Sequence, residues 1–219
     1  MRAGVKRRRG YDSPRRQEQA RATRAAILGA AGDLFLERGY VATTMQAVAE
    51  RARTSPATVY AAFTNKRSLL SALVDVSIAG DDAPIPILDR PWVHELREEP
   101  DLHKRIAILA RNGRLILERR APVDAVVRAA AASDPDIAAL WRAGNAQRLA
   151  GQRMLLRLVA GDIGFRGGLS DGAALDTLYA LGSPETYRLL TVDRSWSPAR
   201  FERWYTDAIA LLLFGANER

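Results

Sequence analysis

From Arg15 onward, apolar positions recur at three- and four-residue steps: Ala20, Thr23, Ile27, Ala30, Ala31, Leu34 and Phe35. That period predicts a long amphipathic helix, and Gly39, the residue type best suited to a positive φ, predicts its end. Thr43 and Thr44 then stand where an N-cap belongs, ahead of a short stripe of Met45, Val48 and Ala49 that stops near Ala52. A helix of about two turns fits there. Ser55-Pro56 repeats the start signal, because Ser caps free amides and Pro at the first helical position gives up no needed hydrogen bond. Asn65 offers a further cap, and Leu69, Leu70, Leu73, Val76 and Ile78 carry a fourth helix to Gly80.

The three prolines between Asp81 and Pro91 interrupt regular structure and mark a boundary. Beyond it the pattern stays helical, with predicted helices at Trp92–Glu98, Leu102–Arg119, Val123–Ala132, Ile137–Val159, Gly172–Leu181, Pro184–Arg194 and Pro198–Phe214. Ala121-Pro122 is expected to separate the second of these from the third. Asp134-Pro135, Ser183-Pro184 and Ser197-Pro198 repeat the cap-then-proline start. With no strand signal, the expected fold class is all-α: a small N-terminal head, a linking helix and a larger C-terminal helical bundle.

The 219-residue chain is 47% hydrophobic, enough for a proper core. It holds no apolar run of bilayer-spanning length, and its arginine-rich start is not followed by the apolar stretch of a secretory signal, so a cytoplasmic protein without membrane contact is expected. There are no cysteines, and His94 and His103 are the only imidazoles. That removes disulfides, thiolate nucleophiles and cysteine-type zinc sites, and neither cofactor nor metal is expected. Charge is unevenly placed: residues 1–70 carry a net +9 and residues 71–219 a net −1. A basic end on a near-neutral body suits a polyanion, since neutralising phosphates releases counterions; a basic tail that only aids solubility is the plainer alternative. Residues 1–14, with Lys6-Arg7-Arg8-Arg9, lack apolar periodicity and read as a mobile basic tail.

Two short helices joined by a three- or four-residue turn form the unit that places its second helix in the DNA major groove. Here Thr44–Ala52 would be the first and Pro56–Phe63 the second. Thr43-Thr44, Val48-Ala49, Ser55, Thr58-Val59-Tyr60, Phe63, Asn65-Lys66 and Leu69-Leu70 resemble the head of the tetracycline-repressor (TetR) family of bacterial regulators, over residues 17–78. Ser183-Pro184-Glu185 through Trp196-Ser197-Pro198 and Trp204 also resemble, less specifically, the C-terminal region of some members. The chain departs from the pattern at Arg53, where the family commonly has Gly, and at Ala57, Ala62 and Arg67, which replace Gly, His and Glu.

The resemblance implies that Thr44 and Tyr60 hold phosphates, that Lys66 reaches a phosphate at the amino end of its own helix, and that Ser55, Pro56, Ala57 and Thr58 face base edges. Hydroxyls and helix amino ends are the groups that fix register on a phosphate backbone, and small side chains suit the thymine methyl. Arg53 in the turn adds a candidate phosphate or guanine contact. Phe63 reads as core. The resemblance further implies a homodimer joined through its C-terminal helices, two heads on a palindromic operator of double-stranded DNA, and an unidentified small-molecule effector whose binding releases a repressor. The domains are then tail 1–14, helix-turn-helix head 15–80, and ligand-binding and dimerisation body 81–219. Asn112, Trp141, Asn145 and Arg148 lie at helical spacing on largely apolar helices and are candidate pocket residues; ordinary packing is the alternative reading of each. Phe201, Trp204, Tyr205, Ala208, Ile209, Leu212 and Leu213 make a broad stripe on the last helix, suited to core or partner.

Gly168-Leu169-Ser170-Asp171-Gly172 matches the G-x-S-x-G nucleophile pattern by letter, but no strand precedes it and both histidines lie upstream. Ser170 reads instead as a helix cap. The histidines stand nine residues apart, outside the spacing of a helical metal pair. An enzyme is therefore not expected, and an architectural DNA-binding protein acting without a ligand is the rival from another class.

Overall fold

The computed structural model describes residues 14–83 and 85–215 and contains, among them, α-helices and no strand. The basic tail expected over residues 1–14 lies outside the described residues but for its last position, where the first helix begins.

Helix α1 (Pro14–Ala42) is long, and Gly39 at φ 77 and ψ 168 interrupts its winding where the sequence places the end. Helices α2 (Met45–Arg51), α3 (Pro56–Ala62) and α4 (Lys66–Ala79) complete the head. The caps are where the polar residues predict them. Thr44, Ser55 and Asn65 each accept a backbone N–H from inside their helix, and Asn65 and Ser68 satisfy each other's amides reciprocally. One such cap is worth about 1 kcal/mol, a large part of what a two-turn helix can gain locally. Gly80 closes α4 at φ 89.

The body follows as α5 (Pro91–Glu98), α6 (Leu102–Ala131), α7 (Pro135–Ala160), α8 (Asp171–Leu181), α9 (Pro184–Arg188) and α10 (Pro198–Ile209). The last two each run on through five residues of wider π winding, Leu189–Asp193 and Ala210–Phe214. Asp134, Ser170, Ser183 and Ser197 cap their helices as the sequence indicates. Ser170 Oγ accepts the Ala173 N–H at 3.3 Å, which accounts for the serine of the G-x-S-x-G letters.

One boundary is corrected. Ala121-Pro122 does not divide two helices; α6 runs unbroken through Pro122. Proline keeps a helical φ and forfeits one ladder bond, and the flanking side chains outweigh that loss. Leu117, Arg120 and Ala121 before it and Val123 and Val127 after it are all buried, while Pro122 itself is exposed. Those neighbours belong to two different apolar clusters. Ile106 to Ala121 pack in the body with Leu156, Val159, Leu178, Phe201 and Leu213. Val123, Val127 and Ala130 pack with Ile27, Leu34, Phe35, Val59, Leu69 and Leu70 of the head, joined by Ile137 of α7. The proline thus sits where α6 leaves one core and enters the other.

The segment between α4 and α5 is held by ions. Asp81 takes two bonds from Arg90, at 2.7 and 3.0 Å, and accepts the Ala83 N–H. Arg119 of α6 reaches the last carbonyls of α4, at Ser77 (3.2 Å) and Ile78 (3.3 Å). The Arg90 guanidinium, then the Ala83 amide, hold the Asp81 carboxyl down at about 2, against an ordinary 3.8.

Two outcomes follow. Pro122→Ala restores the ladder bond to Glu118 and raises stability by about 1–3 kcal/mol, read as an increased urea midpoint; an unchanged midpoint means that the helix relaxes around the proline at no cost. Because the folded value of Asp81 is depressed, its contribution is fully present above pH 3.8 and is lost as pH falls through about 2. An Asp81→Asn variant therefore differs from the parent in pH-dependent melting at neutral pH and converges with it at the acid end.

Candidate nucleic-acid interface

The turn between α2 and α3 is built by a left-handed residue. The Thr54 N–H reaches back to the Ala49 carbonyl and the Arg53 N–H to the Glu50 carbonyl, the paired reversal that closes a helix when the residue between is left-handed. That residue is Arg53, at φ 52. Glycine is the usual occupant of such a position, since an L side chain there costs about 1–2 kcal/mol. Arg53 is exposed, its side chain at the edge of the motif.

After the turn, Ser55 Oγ accepts the Thr58 N–H at 3.1 Å and lies 2.8 Å from the Thr58 hydroxyl, so the two candidate base-facing hydroxyls engage each other. Pro56 begins α3 and is half-buried; Ala57 is exposed. Val59 and Phe63 face the core, as expected of Phe63, while Tyr60 on the opposite side is 54% exposed. Thr44 is exposed with its hydroxyl accepting the Ala47 N–H at 3.1 Å. Thr44, Arg53, Ser55, Ala57 and Tyr60 are thus solvent-accessible on the helix-turn-helix, with Thr58 half-buried among them.

Lys66 is placed otherwise. Its Nζ donates to the carbonyls of Tyr40 (2.7 Å), Thr43 (2.9 Å) and Val41 (3.2 Å) and lies 4.3 Å from the Tyr40 ring centroid. An ammonium has three protons, and three carbonyls at the end of α1 take them. The side chain expected to reach a phosphate is thus held by these carbonyls, where it clamps α4 to α1. Burial lowers its proton affinity.

Three further residues hold the motif: Thr43, which the sequence reading gave as a cap candidate, and Arg51 and Arg24, which it missed. Thr43 is buried and donates to the Gly39 carbonyl at 2.8 Å. Arg51 forms a two-pronged pair with Glu37 of α1, at 2.8 and 2.9 Å, and this hydrogen bonding is the first cause of the lowered Glu37 carboxyl. Arg24 of α1 lies 4.2 Å from the Phe63 ring centroid and donates to the Ala62 carbonyl at 3.3 Å. The partners of Arg51 and Arg24 are distant in sequence, so no local pattern marks these two. Arg67, one of the departures from the family pattern, pairs with Asp136 at the start of α7.

The expected effector-pocket residues lie apart from three cavities. Asn112 turns its amide to the Ile108 carbonyl at 2.8 Å on its own helix. Trp141 packs against the head's apolar cluster. Arg148 donates to the Tyr179 carbonyl at 3.1 Å and stacks 3.5 Å from that ring, and burial lowers its proton affinity. Asn145 is half-buried on α7. A cavity of about 450 Å³ instead lies between α1, α6 and the end of α9, against Phe35, Leu36, Pro122, Val126 and Val192. A second, of about 430 Å³, adjoins it at Asp124, Arg128, Glu185 and Arg188. A third, of about 230 Å³, lies against Arg153, Leu156, Arg157 and Phe165. None of the three is lined by Asn112, Trp141, Asn145 or Arg148.

Residues 27–73 match the sequence profile of the bacterial regulatory proteins, tetR family. The helix-turn-helix segment of the chain is thus similar to the head of the TetR family. The regulator YdeS of Bacillus subtilis, of the helix-turn-helix type and itself uncharacterized, is 40% identical over 74 residues, which cover 34% of this chain and 37% of YdeS. The chain therefore matches little more than a third of that relative's length. The fold as a whole is shared more widely. SmeT, the repressor of the Stenotrophomonas maltophilia multidrug efflux pump SmeDEF, superposes with a TM-score of 0.62 at 21% identity, over 89% of this chain and 91% of SmeT. FadR of Bacillus subtilis, a transcriptional regulator solved with stearoyl-CoA, gives 0.67 at 17% identity, over 88% and 99%.

Arg53→Gly removes the left-handed strain from the turn between α2 and α3 and raises stability by about 0.5–1 kcal/mol in urea unfolding. An equal or lower midpoint means that the arginine side chain makes compensating contacts in the free protein.

Proposed function

We propose that this chain is a sequence-specific DNA-binding transcriptional regulator, a repressor that binds a palindromic operator as a homodimer and is released by a small-molecule effector. The observation that carries the reading is the accessible row of Thr44, Arg53, Ser55, Ala57 and Tyr60 on a capped helix-turn-helix, within a segment of net charge +9. Thr44 and Tyr60 hold phosphates, Ser55, Pro56, Ala57 and Thr58 face base edges, and Arg53 adds a phosphate or guanine contact. The amino end of α4 contributes its backbone N–H groups in place of the Lys66 side chain.

Dimerisation is supported by the last helix. Phe201, Tyr205, Ile209 and Leu213 turn into the chain's own core, whereas Leu211 and Leu212 are exposed, with Trp204 and Ala208 half-buried on the same outer side. Leu189 and Val192 after α9 add exposed apolar surface. A second copy covering these positions sets two recognition helices about one DNA turn apart. The division into tail 1–14, head 15–80 and body 81–219 belongs to the same reading, as does a cytoplasmic place with the dimer on the nucleoid. No helix among the described residues is long and apolar enough to cross a membrane. Effector binding is supported by the body's likeness to SmeT and FadR and by the cavities that border α6, since occupation there biases where the heads sit.

Selection of bound duplexes from genomic DNA tests the reading. Enrichment of a two-fold sequence that outcompetes random duplex at physiological salt is expected; equal affinity for both marks an architectural protein instead. On the enriched duplex, Tyr60→Phe weakens binding about fivefold, the worth of one hydroxyl contact, without changing sequence preference, whereas Thr58→Val changes the preferred base.

A further inference from the structure

Arg24 makes three contacts that no other side chain of the head combines. Its Nη1 donates to the Ala62 carbonyl at 3.3 Å, and Ala62 is the last residue of α3. Its guanidinium carbon lies 4.2 Å from the centre of the Phe63 ring. Its Nε donates to Asp82 at 2.8 Å, and Asp82 lies between α4 and α5, beyond the head. The final carbonyls of a helix have no partner within it, so the bond to Ala62 closes an otherwise open end of α3.

The far side of Asp82 is equally fixed. Its neighbour Asp81 is held by Arg90 at the start of α5, and the α4 end just before it is held by Arg119 of α6. Polar contacts therefore tie α6 to the end of α4 and Arg90 to Asp81, and Arg24 ties Asp82, the next residue along the chain, to the end of α3. The head also meets the body by apolar packing and by the Arg67–Asp136 pair, but the Arg24 contacts end on α3 itself.

We propose that Arg24 is a positioning residue for the DNA-reading helix, and that Asp82 is the point through which the segment between head and body sets that position. The proposal rests on α3 being the recognition helix. Displacement of the segment by the body draws Asp82 from Arg24, and the guanidinium then holds the α3 end from one side only. Arginine is required because its flat, forked group donates in two directions while stacking on a ring; lysine, a single point charge, serves only one of these at a time.

Hydrogen exchange on the full-length protein reads the coupling without DNA, and the Phe63 N–H, bonded to the Val59 carbonyl at 2.8 Å, is the reporter. In Asp82→Asn and in Arg24→Lys, exchange at residues 60–63 is expected to accelerate about twofold to fivefold, the worth of an exposed ion pair. Exchange in α2 and α7 and the melting midpoint are expected to hold. Unchanged exchange at residues 60–63 in Asp82→Asn, a lysine variant indistinguishable from the parent, or acceleration spread evenly through the head overturns the proposal. In a second arm, both variants lose about the same factor in affinity for the duplex that the parent enriches from genomic DNA; undiminished affinity in Asp82→Asn counts against the proposal. If the parent enriches no duplex, the regulator reading fails by itself, while the exchange data still decide whether Asp82 controls the α3 end.

Discussion

Helix α6 is a wall of both hydrophobic cores, and that shared wall is the constraint on which the rest of the structure depends. Its first twenty residues pack in the body from Ile106 to Ala121, and its last turns pack under the head from Val123 to Ala130. Each fully buried aliphatic side chain contributes about 1.5–3 kcal/mol, so separating head from body would expose more apolar surface than a marginally stable fold tolerates. Motion between the two is accordingly confined to small shifts of packed helices. Pro122 stands at the crossing, where one ladder bond is already missing.

Against this apolar frame, the charged groups add direction more than stability. Lys66 gathers three carbonyls at the end of α1, Arg119 takes two at the end of α4, and Arg67 meets Asp136 of α7. Exposed pairs such as Arg67–Asp136 contribute little to folding, typically below about 1 kcal/mol. Their geometry nevertheless fixes both ends of α4, the element that links the helix-turn-helix to the body. The departure from the family pattern at Arg67 has a structural reason here, since an acidic residue at that position would face Asp136.

The helices and their ends were legible because the causes are local. A Ser, Thr, Asp or Asn cap bonds an amide two or three residues on, Gly39 and Gly80 take positive φ within the same turn, and the apolar period records which face is buried. The accessible row on the helix-turn-helix was legible for the same reason, because burial of Val59 and Phe63 on one side leaves Tyr60 on the other. Lys66 illustrates the opposite case. Its place at the first turn of α4 suggests a phosphate, but its carbonyl partners lie more than twenty residues earlier, and only the folded chain brings them within bonding distance. The four candidate pocket residues are a similar case. Helical spacing shows that Trp141, Asn145 and Arg148 share a side of α7, but whether that side meets a cavity, the head or a tyrosine ring depends on which helix packs there.

By itself, then, the sequence determined an all-helical chain, the caps and breaks of nearly every helix, a basic head and a motif similar to the TetR head. These follow from dihedral preferences, capping and periodicity, which act within a few residues. Tertiary structure alone decided that α6 continues through Pro122, because burial on both flanks outweighs a missing hydrogen bond. It alone decided that Lys66 and Arg24 serve as clamps, and that the core of the head is completed by Val123, Val127 and Ile137 from the body. Contacts over such separations cost chain entropy and are gained only when the whole fold closes, so no window of sequence carries them.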